Sequence, residues 1–258
     1  MRCFTAFAGA VVAAAGVIAP HANAADIALA ADTWCPYNCE PGAEKPGYVV
    51  ELAKEIYSAA GHTVHYERMP WNRALEQTAA GKVDGAIAVS TEPQTDKMVL
   101  PEGPLGKLEI SMVTNADSDW TYSGRESLEG KKLGVHADYG YPKAVESYMK
   151  ANEDMVYPAS GSGALTTNLK LVARGRIDVF PVDKSVANYL ASQAGLSSDI
   201  RIAGQVSESL PLYVGFSKKV DGAKSYAETW TQGVQKLRES GELQKILQSY
   251  SVADWANK

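Results

Sequence analysis

The sequence predicts an α/β protein of two lobes, each a mainly parallel sheet flanked by helices, with a ligand cleft between the lobes. Two observations predict this fold: two successive series of alternating strand and helix patterns, and a polar segment that separates them. Alternating strands and helices are typical of parallel sheets joined by crossover helices. Ligands commonly bind in the cleft where two such units meet.

The first 24 residues have the pattern of a secretory signal peptide. Arg2 gives a positive start, an apolar run follows over 7–19, and residues 22–24 match the A-x-A cleavage pattern. The run is too short to span a bilayer, which takes about 20 apolar residues. Cys3 precedes the run, where no lipid-attachment cysteine belongs. We therefore expect cleavage after Ala24 and a soluble product in the periplasm.

Composition narrows the class of partner. The chain of 258 residues carries a formal net charge of −5 without a Lys/Arg cluster, which argues against nucleic acid. The absence of G-x-G-x-x-G and P-loop patterns argues against a nucleotide, so we expect no cofactor. The expected partner is a small polar solute, and the expected state is a monomer.

The first series of elements follows the leader. Apolar residues recur at helical spacing before Gly61 and again before Gly81, and each glycine is a typical helix stop. Short apolar or alternating runs lie between these helices. The order strand, helix, strand, helix, strand is predicted over 27–31, 49–60, 63–68, 72–80 and 83–89.

The second series begins after the polar segment 115–124. Its predicted strands are 132–135, 155–158, 178–182 and 212–216, and its predicted helices are 142–150, 165–173 and 185–194. Two further helices close the chain. From this pattern, lobe 1 comprises residues 25–113 plus 216–258, and lobe 2 comprises residues 114–215.

Six segments in order are similar to those of one family. Trp34-Cys35-Pro36-Tyr37 forms an aromatic-x-Pro-aromatic loop after the first strand, and a PWxRAL segment over 69–75 precedes the third strand. Trp71 in that segment stands thirteen residues ahead of Asp84, and further matches lie at 133–141, 175–183 and 241–247. The chain resembles the bacterial extracellular solute-binding proteins of family 3, which serve polar amino-acid uptake.

This resemblance implies a periplasmic-binding-protein type II fold, which captures a solute by hinge closure and delivers it to a membrane ABC permease. It also implies a ligand held between aromatic rings at Trp34 and Trp71, with Tyr37 nearby; the alternative for each ring is the core. Asp183 occupies the position of an acid that pairs with the ligand's amino group. Its alternative role is to cap the helix that starts near Ser185.

Two departures from the family pattern leave the ligand open. Lys97 stands where the family has an arginine that clamps the ligand carboxylate, and lysine lacks the planar fork of that group. Ser90 and Thr91 offer hydroxyls at the same strand end. In the second lobe, Asp138, Tyr139 and Gly140 replace Gly-Thr-Thr, with Tyr141 next, and backbone amides remain as the expected anion donors. Amino acids, other amino-acid-like solutes and cationic, weakly acidic or neutral polar compounds all remain candidates.

Cys35 and Cys39 are the two cysteines that remain after the leader. Export favours a disulfide, which we expect to stiffen the loop that carries Trp34 and Tyr37. A metal site and a redox pair are the alternatives. However, zinc needs more ligands than this spacing supplies, and thioredoxin-like pairs have the spacing C-x-x-C.

An enzyme is the less favoured interpretation. The sequence has no G-x-S-x-G elbow, so we expect no catalytic residues. The cysteines and histidines show no zinc spacing, so we also expect no metal-binding residues. A few dehydratases share the implied fold, and Asp183, Glu92 or His136 would then be the acid or base. A third possibility is an exported sensor or accessory protein that presents a solute to a membrane receptor.

Overall fold

The structure, a computed structural model, describes residues 24–90 and 95–256 and contains two β-sheets with helices packed against them. Residues 1–23 of the predicted signal peptide lie outside the described residues. The strands in chain order are β1 (Asp26–Ala31), β2 (Thr63–Arg68), β3 (Gly85–Val89), β4 (Met98–Val99), β5 (Gly106–Leu108), β6 (Ile110–Asn115), β7 (Leu133–His136), β8 (Val156–Ala159), β9 (Val179–Asp183), β10 (Ile200–Gln205) and β11 (Leu210–Ser217). The helices are α1 (Tyr48–Ala59), α2 (Trp71–Ala80), α3 (Lys143–Ala151), α4 (Ala164–Ala173), α5 (Lys184–Ala194), α6 (Ala223–Glu239) and α7 (Glu242–Ser249).

The first sheet has the order β2-β1-β3-β11-β4, and β5 pairs with β11. Its β1 runs parallel to β2, from Asp26 opposite Thr63 to Ala31 opposite Arg68, and parallel to β3. The helices α1 and α2 are therefore crossover connections, as the sequence predicts. Helices α1, α6 and α7 bury Leu52, Trp230 and Leu247 in the core of this sheet.

The second sheet has the order β10-β6-β9-β7-β8. Strands β9, β7 and β8 form its parallel part, while β6 joins β9 and β10 in antiparallel pairs. Strand β9 is buried along its whole length. This burial on both faces explains why residues 179–182 read as a continuous apolar run before Asp183.

The chain passes from the first sheet to the second between β5 and β6 and returns between β10 and β11. Each passage is short: residue 109 in one direction and residues 206–209 in the other. The predicted lobe boundaries at 113/114 and 215/216 fall inside β6 and β11. All of β6 belongs to the second sheet, and all of β11 belongs to the first.

Helix length bears on membrane association. Within residues 24–90 and 95–256, none of the helices combines the length and the apolar character needed to cross a membrane.

Candidate functional site

A cavity of about 630 Å³ lies between the two sheets. Ligand pockets in proteins typically measure about 300–1,000 Å³. Residues just beyond β1, β2, β3 and β7 line it, as does the last residue of β9. The cavity therefore lies at the carboxyl ends of parallel strands from both sheets, which is where α/β proteins bind ligands.

The structure brings six of the predicted ligand-binding residues to this cavity. Trp34, Trp71 and Ser90 come from the first sheet's side, and Tyr139, Tyr141 and Asp183 come from the second. They follow or end five different strands, with Tyr139 and Tyr141 on the same loop after β7, so only the fold brings them together.

Three other predicted residues have different places. Tyr37 is buried behind Trp34, with its ring stacked on the indole at 4.4 Å between centroids. Lys97 and Asp138 are exposed, and neither lines the cavity. The structure therefore does not bring Lys97 to a position where it would meet a ligand carboxylate in this cavity. Thr91 lies outside the described residues, as does Glu92.

Asp183 is held by donors from the protein itself. Its Oδ1 accepts hydrogen bonds from the backbone N–H groups of Ser185 (3.0 Å) and Val186 (3.1 Å), and its Oδ2 accepts one from Glu109 N–H (2.9 Å). The predicted helix cap on α5 is thus confirmed. The Tyr37 hydroxyl lies 3.2 Å from Oδ1 and 3.0 Å from the Lys107 carbonyl. Burial raises the pKa of Asp183 to about 6, although the hydrogen bonds act to lower it.

Asp32 is a cavity residue that the sequence reasoning missed. It follows β1 directly, and its Oδ2 accepts a hydrogen bond of 2.6 Å from the Tyr139 hydroxyl. Its carbonyl accepts hydrogen bonds from Asn38 Nδ2 (2.7 Å) and the Tyr66 hydroxyl (3.1 Å). Burial raises the pKa of Asp32, with partial opposition from the Tyr139 hydrogen bond and from His136. Its place at the end of a buried parallel strand was the signal available in the sequence.

Tyr139 connects the two sides of the cavity. Its ring stacks on His136 at 4.0 Å between centroids, while its hydroxyl reaches Asp32 on the first sheet's side. The neighbouring Tyr141 hydroxyl accepts a hydrogen bond of 2.7 Å from the His136 backbone N–H. Burial raises the pKa of both tyrosines far above the physiological range, so both phenols stay protonated. Tyr139 is therefore a permanent donor that faces Asp32.

The predicted disulfide joins Cys35 to Cys39, with Cα atoms 4.9 Å apart. Inside this loop, Trp34 N–H donates to the Asn38 carbonyl at 2.7 Å. The carbonyls of Pro36 and Tyr37 accept hydrogen bonds from the first backbone N–H groups of α1, those of Tyr48 and Val49. The loop therefore caps α1 and fixes Trp34 at the cavity wall, but its effect on binding remains a prediction.

Ala88 lines the cavity in an unusual backbone conformation. Its φ is 67°, and it has no partner in β11, where Tyr213 pairs with Val89 and Val214 pairs with Ile87. It is thus the extra residue of a β-bulge. A left-handed conformation costs a residue with a Cβ roughly 1–2 kcal/mol, and such strain is common at functional sites.

A second groove of about 1020 Å³ lies on the far side of Tyr37. Helix α5, the disulfide loop and the segment 249–255 line it. Although it is the larger of the two, fewer parallel strands end at it: among the described residues, its lining includes some that follow β1 and β9 but none that follow β2, β3 or β7. We therefore take the 630 Å³ cavity as the candidate site.

Two sheets with flanking helices, two chain passages and a cavity between strand ends define a two-lobed binding protein of the periplasmic type II class. Residues 27–253 match the family model of bacterial extracellular solute-binding proteins, family 3, and the chain belongs to this family. The predicted fold and family are confirmed. The family supports a solute-binding role and an extracytoplasmic location.

Solved structures of similar fold support this class. A substrate-binding protein of an ABC uptake transporter from Streptococcus pneumoniae with bound histidine has a TM-score of 0.71 and 20% identity, over 90% of this chain and 95% of that chain. A structure for glutathione import via GshT and the cystine importer TcyBC of Streptococcus mutans has a TM-score of 0.70 and 21% identity, over 88% and 95%. A histidine kinase sensor domain similar to periplasmic binding proteins has a TM-score of 0.70 and 20% identity, over 87% and 95%. No curated protein matches the sequence.

Proposed function

We propose that the protein captures a small polar solute in the periplasm and delivers it to the membrane permease of an ABC transporter. The observation that carries this proposal is the cavity of about 630 Å³, which side chains from both sheets line. A ligand in it would contact both sides at once. In this proposal, lobe 1 contains the first sheet and lobe 2 the second, with the passages at 109 and 206–209 as the hinge.

Hinge closure is the proposed mechanism. The Tyr139–Asp32 hydrogen bond spans the cavity, and Tyr37 approaches Asp183 near the passage at Glu109. A ligand that contacts both lobes favours the closed arrangement by its difference in affinity for the two states. The permease would then recognise the closed form.

Export supports the proposed location. The leader pattern over 1–24 predicts removal after Ala24, and the disulfide fits an oxidising compartment.

A role in sensing is the second candidate. The similarity to a histidine kinase sensor domain favours it, because that structure uses this fold to receive a signal. A dehydratase is less favoured, since the proposed acid or base Asp183 is occupied by donors of the protein itself.

A ligand panel tests solute capture. The mature protein is heated with amino acids, amines, small organic acids and metal ions. A ligand at 100 times its Kd adds about 2.7 kcal/mol to the free energy of unfolding, which should raise Tm by roughly 5–10 °C. Uptake of the stabilising solute by cells with and without the gene tests delivery. Capture without a difference in uptake would favour the sensor, and turnover of the solute would favour an enzyme.

A further inference from the structure

Carboxylates dominate the charge of the candidate cavity. Asp32, Glu146, Asp183 and Glu208 line it. Over residues 24–90 and 95–256, no lysine, arginine or histidine lines it. The intervening residues 91–94, Thr-Glu-Pro-Gln, carry no basic side chain either.

Three of these carboxylates have acceptor capacity to spare. The Asp32 carboxylate receives the Tyr139 hydroxyl and, besides this, an interaction with its own backbone N–H. Glu146 receives one long hydrogen bond of 3.4 Å from Tyr141 N–H, and the exposed Glu208 carboxylate receives none in those ranges. Asp183, in contrast, is filled by its own donors.

Aromatic faces accompany these acids. Trp34, Trp71, Tyr139 and Tyr141 all line the cavity. Trp34 is stacked on Tyr37 and Tyr139 is stacked on His136, so each ring is held by a neighbouring ring while it lines the cavity. The face of an aromatic ring carries negative potential and attracts cations.

We propose that the solute is an organic cation without a carboxylate group, that is, an amine or a quaternary ammonium compound. Asp32 holds its charge, and the rings of Trp34 and Tyr139 contact its sides. The inference rests on the proposed solute-binding function of this cavity. A ligand carboxylate would enter a site of four acids and lose its hydration without a basic partner, whereas a cation would compensate the half-buried Asp32.

Matched pairs of compounds test this inference directly. Each pair has the same cationic group with and without a carboxylate: agmatine and arginine, cadaverine and lysine, choline and glycine betaine. Calorimetry and thermal unfolding of the mature protein give the Kd and the Tm shift for all six. We expect at least one carboxylate-free member to raise Tm by several degrees and to bind at least tenfold more tightly than its partner.

A charge-neutral variant tests whether amine binding depends on the Asp32 charge. Asp32→Asn keeps an oxygen for the Tyr139 hydroxyl but removes the charge, so the Kd of the bound amine should rise at least tenfold. The matched control is Asp119→Asn, which neutralises an exposed carboxylate that does not line the cavity. The control should bind as the wild type does. Equal binding by Asp32→Asn and wild type would overturn the role of Asp32.

The remaining outcomes separate the inference from the proposed function. If the carboxylate-bearing partners bind as tightly as the amines or more tightly, solute capture stands and the cation class is wrong. The class is also wrong if the broader panel finds only organic acids, or if calcium or magnesium stabilises the protein and no amine does. If no compound of either set binds and the gene does not affect uptake, both the inference and the proposed function fail.

Discussion

Asp32 and Asp183 both end or follow a buried strand, and both line the same cavity, but they differ in their hydrogen bonds. Asp183 accepts three backbone N–H groups and lies next to the Tyr37 hydroxyl. Asp32 accepts one hydroxyl, and that hydroxyl comes from the other side of the cavity. Position at a strand end therefore does not separate a structural carboxylate from one that is available to a ligand.

The number of hydrogen-bond donors that the fold supplies distinguishes the structural carboxylate from the one available to a ligand. Each donor that the fold supplies satisfies a lone pair of the carboxylate and ties it to one segment of backbone. Asp183 connects α5 to the passage at Glu109 and so belongs to the architecture. Asp32 is half-buried, and its carboxylate accepts fewer donors from the protein, which is costly for a charge unless a partner arrives.

The largest expected difference is in stability. Asp183→Ala removes a helix cap, worth about 0.5–2 kcal/mol, and leaves the Glu109 N–H without its acceptor, while the Tyr37 hydroxyl keeps the Lys107 carbonyl. We expect the free energy of unfolding to fall by about 3 kcal/mol and Tm by roughly 6–12 °C. Asp32→Ala should cost about 1 kcal/mol or less, since one hydrogen bond is lost and a buried charge is relieved. Urea and thermal unfolding without ligand measure both losses, and equal losses would show that the two carboxylates have the same structural role.

The second prediction concerns pH. The pKa of Asp183 is raised to about 6 in the folded protein, against about 3.9 in an unfolded chain. The folded state therefore holds a proton between these values, which stabilises it at low pH, and this stabilisation is lost as the pH rises through 6. The advantage of wild type over Asp183→Asn should be larger at pH 4.5 than at pH 7.5, by about 2 kcal/mol.

Unfolding curves at several pH values measure this difference, with Asp119→Asn as the control for a general change in charge. The Glu109–Lys184 ion pair lies close to Asp183, as does the Tyr37 hydroxyl, whose pKa burial raises well above its usual range. A difference that does not vary with pH would mean that Asp183 stays ionised throughout.

The third prediction concerns the disulfide loop that holds Asp32 and Trp34 in place. The Asn38 side chain donates to the Asp32 carbonyl, and the disulfide loop holds both Asn38 and Trp34. A disulfide that closes so short a loop contributes at most about 2 kcal/mol. For Cys35→Ser/Cys39→Ser we expect a stability loss within that limit and a ligand Kd several-fold higher, because the binding loop must be ordered. Unchanged binding by the double variant would show that stiffening does not matter.

Much of the fold follows from local patterns in the sequence. The parallel strands and the helices between them have clear periodicity, and Gly81 and Gly195 end α2 and α5 in the left-handed conformation as C-caps do. Strands β6 and β10 were missed. They pair in antiparallel fashion across distant parts of the chain, and their short mixed sequences give no local signal.

The candidate site was predictable only in part. Trp34, Trp71 and Tyr139 lie at the cavity because strand order places loop residues at one edge of each sheet. The donors to Asp183 and the contact between Asp32 and Tyr139 depend on side-chain positions between segments far apart in sequence. A strand-end acid can be found from the sequence, but its partners require the structure.

The smallest effects are expected from the two phenols that meet these carboxylates. Tyr37→Phe removes a buried hydroxyl close to both Asp183 and the Lys107 carbonyl, and should cost about 1 kcal/mol of stability.

Tyr139→Phe keeps the ring stacked on His136 and removes only the hydrogen bond across the cavity. We expect little change in Tm but a larger radius of gyration without ligand, since the compact arrangement loses a contact that the open arrangement does not make. Small-angle scattering measures this, and ligand should restore the compact form. If Tyr139→Phe instead loses as much stability as Tyr37→Phe and scatters like the wild type, then the Tyr139–Asp32 hydrogen bond is part of the architecture, and the two carboxylates do not differ in kind.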